Sequence, residues 1–317
     1  MPGAKDELPL FSRTNAEAAP PAGSPARLRA DASLSAALRA WEEALQKDGR
    51  SPNTVKAFAG DLRLMGKFLG SGAALNSIGT HDLRNFLEWM LHRRGVACSP
   101  KTYARRVTSI KAFFRWLVET GVLSEDPAAN VAQQSVLSPL SEVLTAAEMD
   151  AVLHGAESRR RGAKPDPRPY TLLSLLLQTG IKKSECLSLY LHHIDLGAAG
   201  GPILFVRYPD VRKRYRERRL PLSQAWVSAY REYLAQYAPR DRVFPYSPRR
   251  LEYLLEELGS AAGLEKHLSF NMCRWTAALS DLHAGKDKDY IRQKLGLSKI
   301  HWREVSTKLD RLAVQQA

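Results

Sequence analysis

The residues of this chain that are best suited to chemistry are cations, and they are concentrated in one short segment. Residues 207–219 carry seven arginines and lysines against two acids, with tyrosines interleaved. Guanidinium and ammonium groups bind phosphate oxygens, whereas solvated charge runs are usually more mixed in sign. The segment therefore predicts contact with a phosphate-rich partner through Arg207, Arg212, Lys213, Arg214 and Arg216.

The charge of the whole chain points the same way. Its 317 residues include 47 lysines and arginines against 33 aspartates and glutamates, which gives a formal net charge of +14. This excess favours a nucleic-acid partner, and an enzyme that is merely basic is the alternative. A hydrophobic content of 44% is enough to build a core in each of two domains.

Several other classes of protein are disfavoured. The three cysteines, Cys98, Cys186 and Cys273, are far apart and lack metal-ligand spacing, so we expect core residues in a reducing compartment and no metal. No apolar run approaches the roughly 18 residues of a membrane span, and the first residues lack an export pattern. These features predict a cytoplasmic protein without a membrane partner.

The hydrophobic pattern predicts a mainly α-helical protein of two domains. Residues 1–30 lack periodicity and are predicted to form a flexible tail. Apolar residues at helical spacing predict a four-helix bundle within 31–132, and a polar linker follows at 133–142. Residues 143–317 predict a mixed helical domain, in which two strands at 202–206 and 218–222 flank the basic segment.

Several segments, in order along the chain, resemble the tyrosine recombinase family of phage integrases and Xer-type resolvases. In the first domain they are 99–106, 109–118 and 121–127; in the second they are 143–148 and the box at 179–185. The resemblance spans residues 34–309. It implies a SAM-like core-binding domain and an integrase-like catalytic domain with a small β-hairpin, which together form a C-shaped clamp on double-stranded DNA.

The resemblance also implies a chemistry without metal, ATP or another cofactor. In the family a tyrosine attacks the scissile phosphate, arginines and histidines stabilise its charge, and a hairpin lysine protonates the leaving oxygen. Lys213 matches the lysine, and Arg274 matches the second arginine. The remaining positions differ from the family: Lys182 replaces the first arginine, Asn271 and Trp275 replace histidines, Leu297 follows the Leu-Gly pair where histidine or tryptophan belongs, and Ser306 replaces the tyrosine.

Ser306 decides between an enzyme and a DNA-binding protein of the same descent. A serine hydroxyl lies roughly 4 Å closer to the backbone than a phenolic oxygen, so the same helix does not present it to the same phosphate. Loss of one charge-stabilising donor typically costs about 10²–10³ in rate, and several positions differ here at once. We therefore predict that strand cleavage is lost. An engineered serine in an active enzyme would leave the other differences unexplained.

Two residues near Ser306 are weak replacements for the tyrosine. Tyr290 is sixteen residues upstream on the preceding helix, where we expect it to pack. His301 is expected at the surface. Neither provides a nucleophile at the position that the family uses.

What remains is the capacity to hold DNA. Besides the basic segment, we expect Lys182 and Arg274 to contact phosphates. Arg105, Arg106 and Lys111 share the fourth helix of the bundle and are expected either at DNA or as solvated helix charges. Phosphate contacts alone give little sequence preference.

The C-terminal residues 307–317 predict a short helix that packs on a neighbouring subunit or an active recombinase partner, or else caps its own domain. The sequence thus predicts a nucleoid-associated architectural or regulatory DNA-binding protein, or an inactive subunit beside an active recombinase. The alternatives are an active site-specific recombinase with a displaced nucleophile and a transcriptional regulator.

Overall fold

The computed structural model describes residues 28–133 and 140–316. The chain divides between 138 and 139 into two compact units, which are described separately. Most of the predicted tail and linker lies outside the described residues. At the edges of the units, Ala30 accepts the backbone N–H of Asn76 at 2.9 Å, and Leu140 packs on the second unit. Both units therefore extend slightly beyond the boundaries predicted from the sequence.

The first unit contains the four predicted helices. They are α1 (Leu34–Lys47), α2 (Pro52–Leu69), α3 (Thr80–His92) and α4 (Pro100–Glu119). Ser33, Ser51 and Ser99 each accept a backbone N–H of the first turn of the helix that follows, and proline opens α2 and α4. The predicted four-helix architecture of this unit is confirmed.

The core of the first unit is aromatic. Trp41 of α1 is fully buried and meets Phe113 of α4 edge to face, with 5.3 Å between the ring centroids. Leu62 and Met65 of α2 and Phe86 of α3 are also fully buried. All four helices therefore contribute the apolar faces that their spacing predicts.

The second unit combines eight helices with a small sheet within residues 140–316. The helices are α5 (Ala146–Arg161), α6 (Arg168–Thr179), α7 (Lys183–Leu187), α8 (Gln224–Tyr237), α9 (Pro248–Ala261), α10 (Phe270–His283), α11 (Lys288–Lys294) and α12 (Lys299–Gln316). The apolar helix α6 is central, because α5, α8, α9 and α10 all pack against it. Its leucines, Leu172, Leu173, Leu175 and Leu176, are buried.

The sheet carries the basic segment. Strands β1 (Ile194–Asp195), β2 (Ile203–Val206) and β3 (Arg218–Pro221) are antiparallel in sequence order, and Leu204 pairs with Leu220. The two predicted strands are confirmed as β2 and β3; β1 has only two residues and leaves no periodic signal. Between β2 and β3, Val211–Arg216 form a 3₁₀ helix.

The last helix, α12, packs on its own unit. Leu309 and Leu312 are buried in an apolar cluster with Leu279 of α10 and Ile291 of α11. This is the cap on its own domain that the sequence offered as one of two readings. No helix among the described residues is both long enough and apolar enough to cross a bilayer.

Candidate phosphate-binding site

The structure brings three of the sequence-predicted site residues into one cleft. Lys182, Asn271 and Arg274 line a cavity of about 320 Å³ in the second unit. Lys182 caps the N-terminus of α7, while Asn271 and Arg274 lie in the first two turns of α10. The complete lining is Lys182, Lys183, Glu252, His267, Leu268, Ser269, Phe270, Asn271 and Arg274. We call this cavity the phosphate cleft.

Lys182 is held in the cleft by its own backbone. It follows the turn at Gly180, which adopts the left-handed conformation that ends α6, and its backbone N–H donates to Glu185 Oε2 at 2.8 Å. Burial lowers the pKa of the Lys182 ammonium to about 8, and the nearby charge of Arg274 adds to the effect. At pH 7 most of the molecules therefore still carry a positive charge at Lys182.

Arg274 connects helix α10 to the turn that ends α6 and to the residue that follows α11. Its guanidinium donates to the carbonyl of Gly180 at 2.5 Å and to that of Leu295 at 2.6 Å. Burial lowers the pKa of Arg274 to about 10, which leaves the group charged at neutral pH. Two cations thus share one small cavity, an arrangement that attracts an anion of the size and charge of a phosphate.

A buried network lies directly behind the cleft. The carboxylate of Glu185 in α7 is 2.8 Å from the guanidinium of Arg218 in β3, and the hydroxyl of Tyr208 donates to the same carboxylate. Burial opposes the charge on Glu185, yet the hydrogen bonds and charge of Arg218 lower its pKa to about 2. The network therefore fixes the hairpin strand against the helix that Lys182 caps.

Gly296 leaves the space that the Arg218 side chain of this network occupies. Its φ is +60°, and a Cβ atom there would lie 2.7 Å from Nη1 of Arg218. Arg218 in turn donates to the carbonyl of Lys294 at 2.6 Å. Any residue larger than glycine would displace the arginine that pairs with Glu185.

The basic segment presents its charges outward. Arg207, Arg212, Lys213 and Arg214 are exposed, and Arg216 is half-buried with its guanidinium on the Tyr215 hydroxyl. Lys213, the general-acid candidate, places its ammonium 3.3 Å from Asp210 and does not line the phosphate cleft. Arg212 shares the same acid at 3.2 Å. The structure therefore separates Lys213 from Lys182 and Arg274, while the segment keeps charges that face solvent.

The cations of α4 have partners inside the first unit. Asp61 is buried and accepts hydrogen bonds from Arg105 and, at 2.8 Å, from the Ser109 hydroxyl. Arg106 lies 3.4 Å from the same carboxylate with only 12% of its side chain exposed. Lys111 donates to the carbonyl of Ala129 at 3.2 Å. The main contact of Arg106 is therefore with a buried acid, whereas Arg105 and Lys111 keep exposed surface. Contact of these three cations with DNA stays a prediction.

Comparison with known proteins identifies the family. The family model "Phage integrase, N-terminal SAM-like domain" matches residues 38–121, and the model "Phage integrase family" matches residues 142–304, which is half of the chain. The chain belongs to the phage integrase family. Among curated relatives, the tyrosine recombinase XerD of Shewanella oneidensis is 26% identical over 288 residues, covering 84% of this chain and 90% of the relative. That of Chlorobaculum tepidum is 27% identical over 283 residues, covering 84% and 89%.

Solved structures of integrases share the fold. A lambda integrase dimer bound to a COC′ core site superimposes with a TM-score of 0.69 at 16% identity, over 90% of this chain and 80% of that one. The XerH site-specific recombinase in a post-cleavage complex gives a TM-score of 0.69 at 17% identity, over 89% and 82%. The predicted fold class, a helical SAM-like unit followed by an integrase-type unit, is confirmed.

Two positions at which the resemblance implied polar side chains are apolar in this chain, and both are packed. Trp275 and Leu297 are partly buried against the apolar cluster that contains Ile291 and Leu309. They therefore help to hold α12 on the unit and donate nothing to the phosphate cleft.

Ser306 lies in the middle of α12 and is half-buried. Within residues 28–133 and 140–316 its hydroxyl makes no side-chain hydrogen bond. Tyr290 was expected to pack, but 41% of it is exposed and the ammonium of Lys286 stands 5.9 Å from the ring centroid. His301 is exposed, as expected, and shares a 3.0 Å hydrogen bond with Ser298.

Sequence reasoning missed a histidine of the cleft. His267 is exposed, lines the phosphate cleft and stands four residues before Asn271, which occupies the position of the family's histidine. The signal that could have found it is a histidine only four residues before Asn271 in the sequence. His267 gives the cleft an imidazole donor that the motif itself has lost.

Proposed function

We propose that this protein binds double-stranded DNA and has lost strand cleavage, and that it acts as an architectural or regulatory DNA binder or as an inactive partner of an active recombinase. The observation that carries the proposal is Ser306 in place of a tyrosine, on a helix held by Trp275 and Leu297. The cations that would hold phosphate are retained, whereas the nucleophile and the donors around it are replaced.

Binding of DNA is supported by two separate groups of cations. Lys182 and Arg274 lie together in the phosphate cleft, and the basic segment adds the exposed cations Arg207, Arg212, Lys213 and Arg214. Among the structural neighbours, the lambda integrase (residues 75–356) was solved bound to DNA, and the XerH recombinase was solved bound to its difH substrate. Backbone contacts of this kind bind duplex DNA with a steep dependence on salt.

Loss of cleavage is supported by the raised pKa values of Tyr208 and Tyr290, the tyrosines that could replace the missing nucleophile. Burial raises the pKa of Tyr208 to about 12, and its hydroxyl is occupied as a donor to Glu185. Burial also raises the pKa of Tyr290, and the charge of Asp281 adds to the shift. A nucleophile needs a lowered pKa or an adjacent base. The pKa of both tyrosines is raised, and the Glu185 carboxylate beside Tyr208, with a pKa of about 2, is too weak a base to take its proton.

The alternative is an active recombinase with a displaced nucleophile. It is favoured by the names of the relatives, which are tyrosine recombinases XerD, and by the family arginine and lysine retained at Arg274 and Lys213. A covalent adduct between protein and DNA separates the two, because only the active enzyme passes through one.

The test combines binding with a denaturing gel. The protein is incubated with end-labelled genomic duplex fragments, and one half of each sample is run on a native gel and the other in SDS. We expect a retarded complex without an SDS-resistant adduct, both for the natural chain and for Ser306→Tyr, since Lys182, Asn271, Trp275 and Leu297 remain. An adduct with the natural chain would overturn the proposal.

The contribution of the basic segment is tested by salt titration. Removal of one phosphate contact lowers the slope of log affinity against log salt concentration by about 1. We expect that decrease for Arg212→Ala, whose guanidinium is largely exposed, and no change for Arg240→Ala, an exposed arginine outside the segment. Equal slopes for the two variants would remove the segment from the DNA interface.

Self-association and cellular role belong to the same proposal. We propose that pairing with another copy, or with an active recombinase, uses α12, where Ile300 and Val314 are exposed. We place the protein in the cytoplasm on the nucleoid. A crosslinking map that shows broad occupancy would support an architectural role, and discrete promoter sites would support a transcriptional regulator instead.

A further inference from the structure

A second cavity lies in the second unit, and part of its lining belongs to the basic segment. Its volume is about 600 Å³, and it shares no residue with the phosphate cleft. Small-molecule sites typically occupy about 300–1,000 Å³ and place a few polar groups around apolar or aromatic walls. The aromatic and cationic residues of its lining are Tyr190, His192, His193, Arg207, Arg214 and Arg242.

The floor of this cavity is fixed by backbone pairing. Leu191 donates its N–H to the carbonyl of Asp241 at 2.9 Å, and Val243 donates to Leu189 at 2.9 Å. Tyr190 and Arg242 face each other in an isolated β-bridge, and the guanidinium carbon lies 5.9 Å from the tyrosine ring centroid. An aromatic ring and a cation are therefore held side by side by the chain itself.

The aromatic wall is built from three rings. Tyr190 and His192 are nearly parallel, at an interplanar angle of 20° and a centroid distance of 5.4 Å. His193 is buried and stands almost perpendicular to Tyr190. Its Nδ1 accepts the backbone N–H of Tyr190 at 3.3 Å, so the neutral ring carries its proton on Nε2, which is left to donate.

The remaining walls are cationic. Arg207, Arg214 and Arg242 bring three guanidinium groups to one cavity. The acid in the lining, Glu217, already accepts the backbone N–H of Tyr208 at 2.9 Å. Arginine clusters bind phosphate oxygens in bidentate fashion, and exposed aromatic faces stack on nucleobases of any sequence.

We propose that this cavity binds a nucleoside phosphate, with its base against the Tyr190 and His192 rings and its phosphate on the arginines. The ligand is either a free nucleotide or an unpaired nucleotide of DNA. A bare anion would use the arginines but leave the aromatic wall without a function. A paired duplex would offer phosphates but no free base face.

The first experiment measures binding of deoxyadenosine monophosphate to the full chain by isothermal titration calorimetry. We expect Arg242→Gln and Tyr190→Ala each to weaken binding about tenfold, and Arg240→Gln, outside the cavity, to leave it unchanged. Arg242 and Arg240 are both exposed, so this pair reports on the site even where Tyr190→Ala disturbs the fold. Inorganic phosphate is expected to bind at least tenfold more weakly than the nucleotide.

The second experiment separates the two sources of the ligand. A duplex with one unpaired adenosine is compared with the fully paired duplex, each against the natural chain and Arg242→Gln. Selective weakening of the duplex with the unpaired base assigns the site to DNA, and an effect on the nucleotide alone assigns it to a free ligand. The nucleotide titration contains no duplex, so its result is independent of whether the protein binds DNA.

Two results would overturn the proposal. Phosphate binding as tightly as the nucleotide would show that the rings take no part in recognition. Equal behaviour of Arg242→Gln and Arg240→Gln toward both the nucleotide and the unpaired duplex would place any binding outside the cavity.

Discussion

Removal of the charge on Glu185 should destabilise the second unit strongly. The carboxylate is only 1% exposed and pairs with Arg218, which is 7% exposed. Its pKa is about 2 in the folded chain against an ordinary value of 4.5. A difference of about 2.5 in pKa corresponds to about 3 kcal/mol of stability, and no discount for solvent screening applies at this burial. Glu185→Gln also leaves the Arg218 charge buried without a counterion.

The pH dependence follows from the sign of that shift. Because the folded-state pKa lies below the unfolded one, the stabilisation is fully present above about pH 4.5 and is lost as the pH falls towards 2. Glu185→Gln should therefore lower stability most at neutral pH, and its difference from the natural chain should shrink below pH 4.5.

Differential scanning calorimetry of the full chain provides the assay. For a domain of this size a loss of about 3 kcal/mol lowers the transition of the second unit by about 6–12 °C and leaves that of the first unit in place. The matched control is Glu252→Gln, which breaks an exposed pair with Lys183 and should cost less than about 1 kcal/mol. Equal shifts for the two variants, or a difference that does not change with pH, would refute the reasoning.

The remaining predictions concern three other sites. Gly296→Ala should destabilise the second unit by about 1–3 kcal/mol in calorimetry, because its φ is +60° and the new methyl group would meet Arg218. Asp61→Asn should destabilise the first unit by about 3–5 kcal/mol and spare the second, since it leaves buried guanidinium charge without a counterion. Lys182, whose pKa is lowered to about 8, should acetylate faster at pH 8 than the lysines of ordinary pKa, as read by mass spectrometry.

Each of these predictions has a matched control. Gly200→Ala lies where the added methyl group meets nothing, so it should leave the transition unchanged. Asp82→Asn removes a half-buried helix-capping acid from the same unit as Asp61, and the two should differ by at least about 2 kcal/mol. Duplex DNA should protect Lys182 from acetylation; acetylation at the average rate, with or without DNA, would contradict its placement in the cleft.

Local patterns predict much of the fold, and contacts distant in sequence account for what they miss. The helices α1 to α4 and the strands β2 and β3 follow from apolar spacing and from serine and proline at helix starts. The two-residue strand β1 has no such signal. Arg106 resembles a surface cation in sequence, and only the buried Asp61, 45 residues away, reveals its contact. Tyr290 was placed in the core for a similar reason, because helical position alone does not fix exposure.

The same limit applies to the site. The motifs place Lys182, Asn271 and Arg274 in one cleft, as they are found. They do not reveal that Lys213 faces Asp210, because the geometry of a basic loop depends on charge pairs within it. Nor do they reveal His267, whose position before α10 brings it to the cleft without belonging to the motif.

The family residues that this chain retains are explained by the contacts they make within the protein. Arg274 joins the carbonyls of Gly180 and Leu295, and its loss would leave both buried acceptors unpaired. Gly296 makes room for the arginine of the buried ion pair. Selection for folding alone would keep such residues, so their presence is weak support for catalysis.

The positions at which this chain differs from the family pattern would serve the reaction in an active enzyme, not the fold. A tyrosine nucleophile and the polar donors around it serve the reacting phosphate. In this chain Ser306 has no hydrogen-bond partner among the described residues. Trp275 and Leu297 pack against the apolar cluster beneath α12. Restoring polar groups at Trp275 or Leu297 would remove packing from that cluster and destabilise the helix that carries position 306. Under the proposed loss of cleavage, we therefore expect no single change at Ser306 to restore it, because Trp275 and Leu297 pack beneath the helix that carries this position.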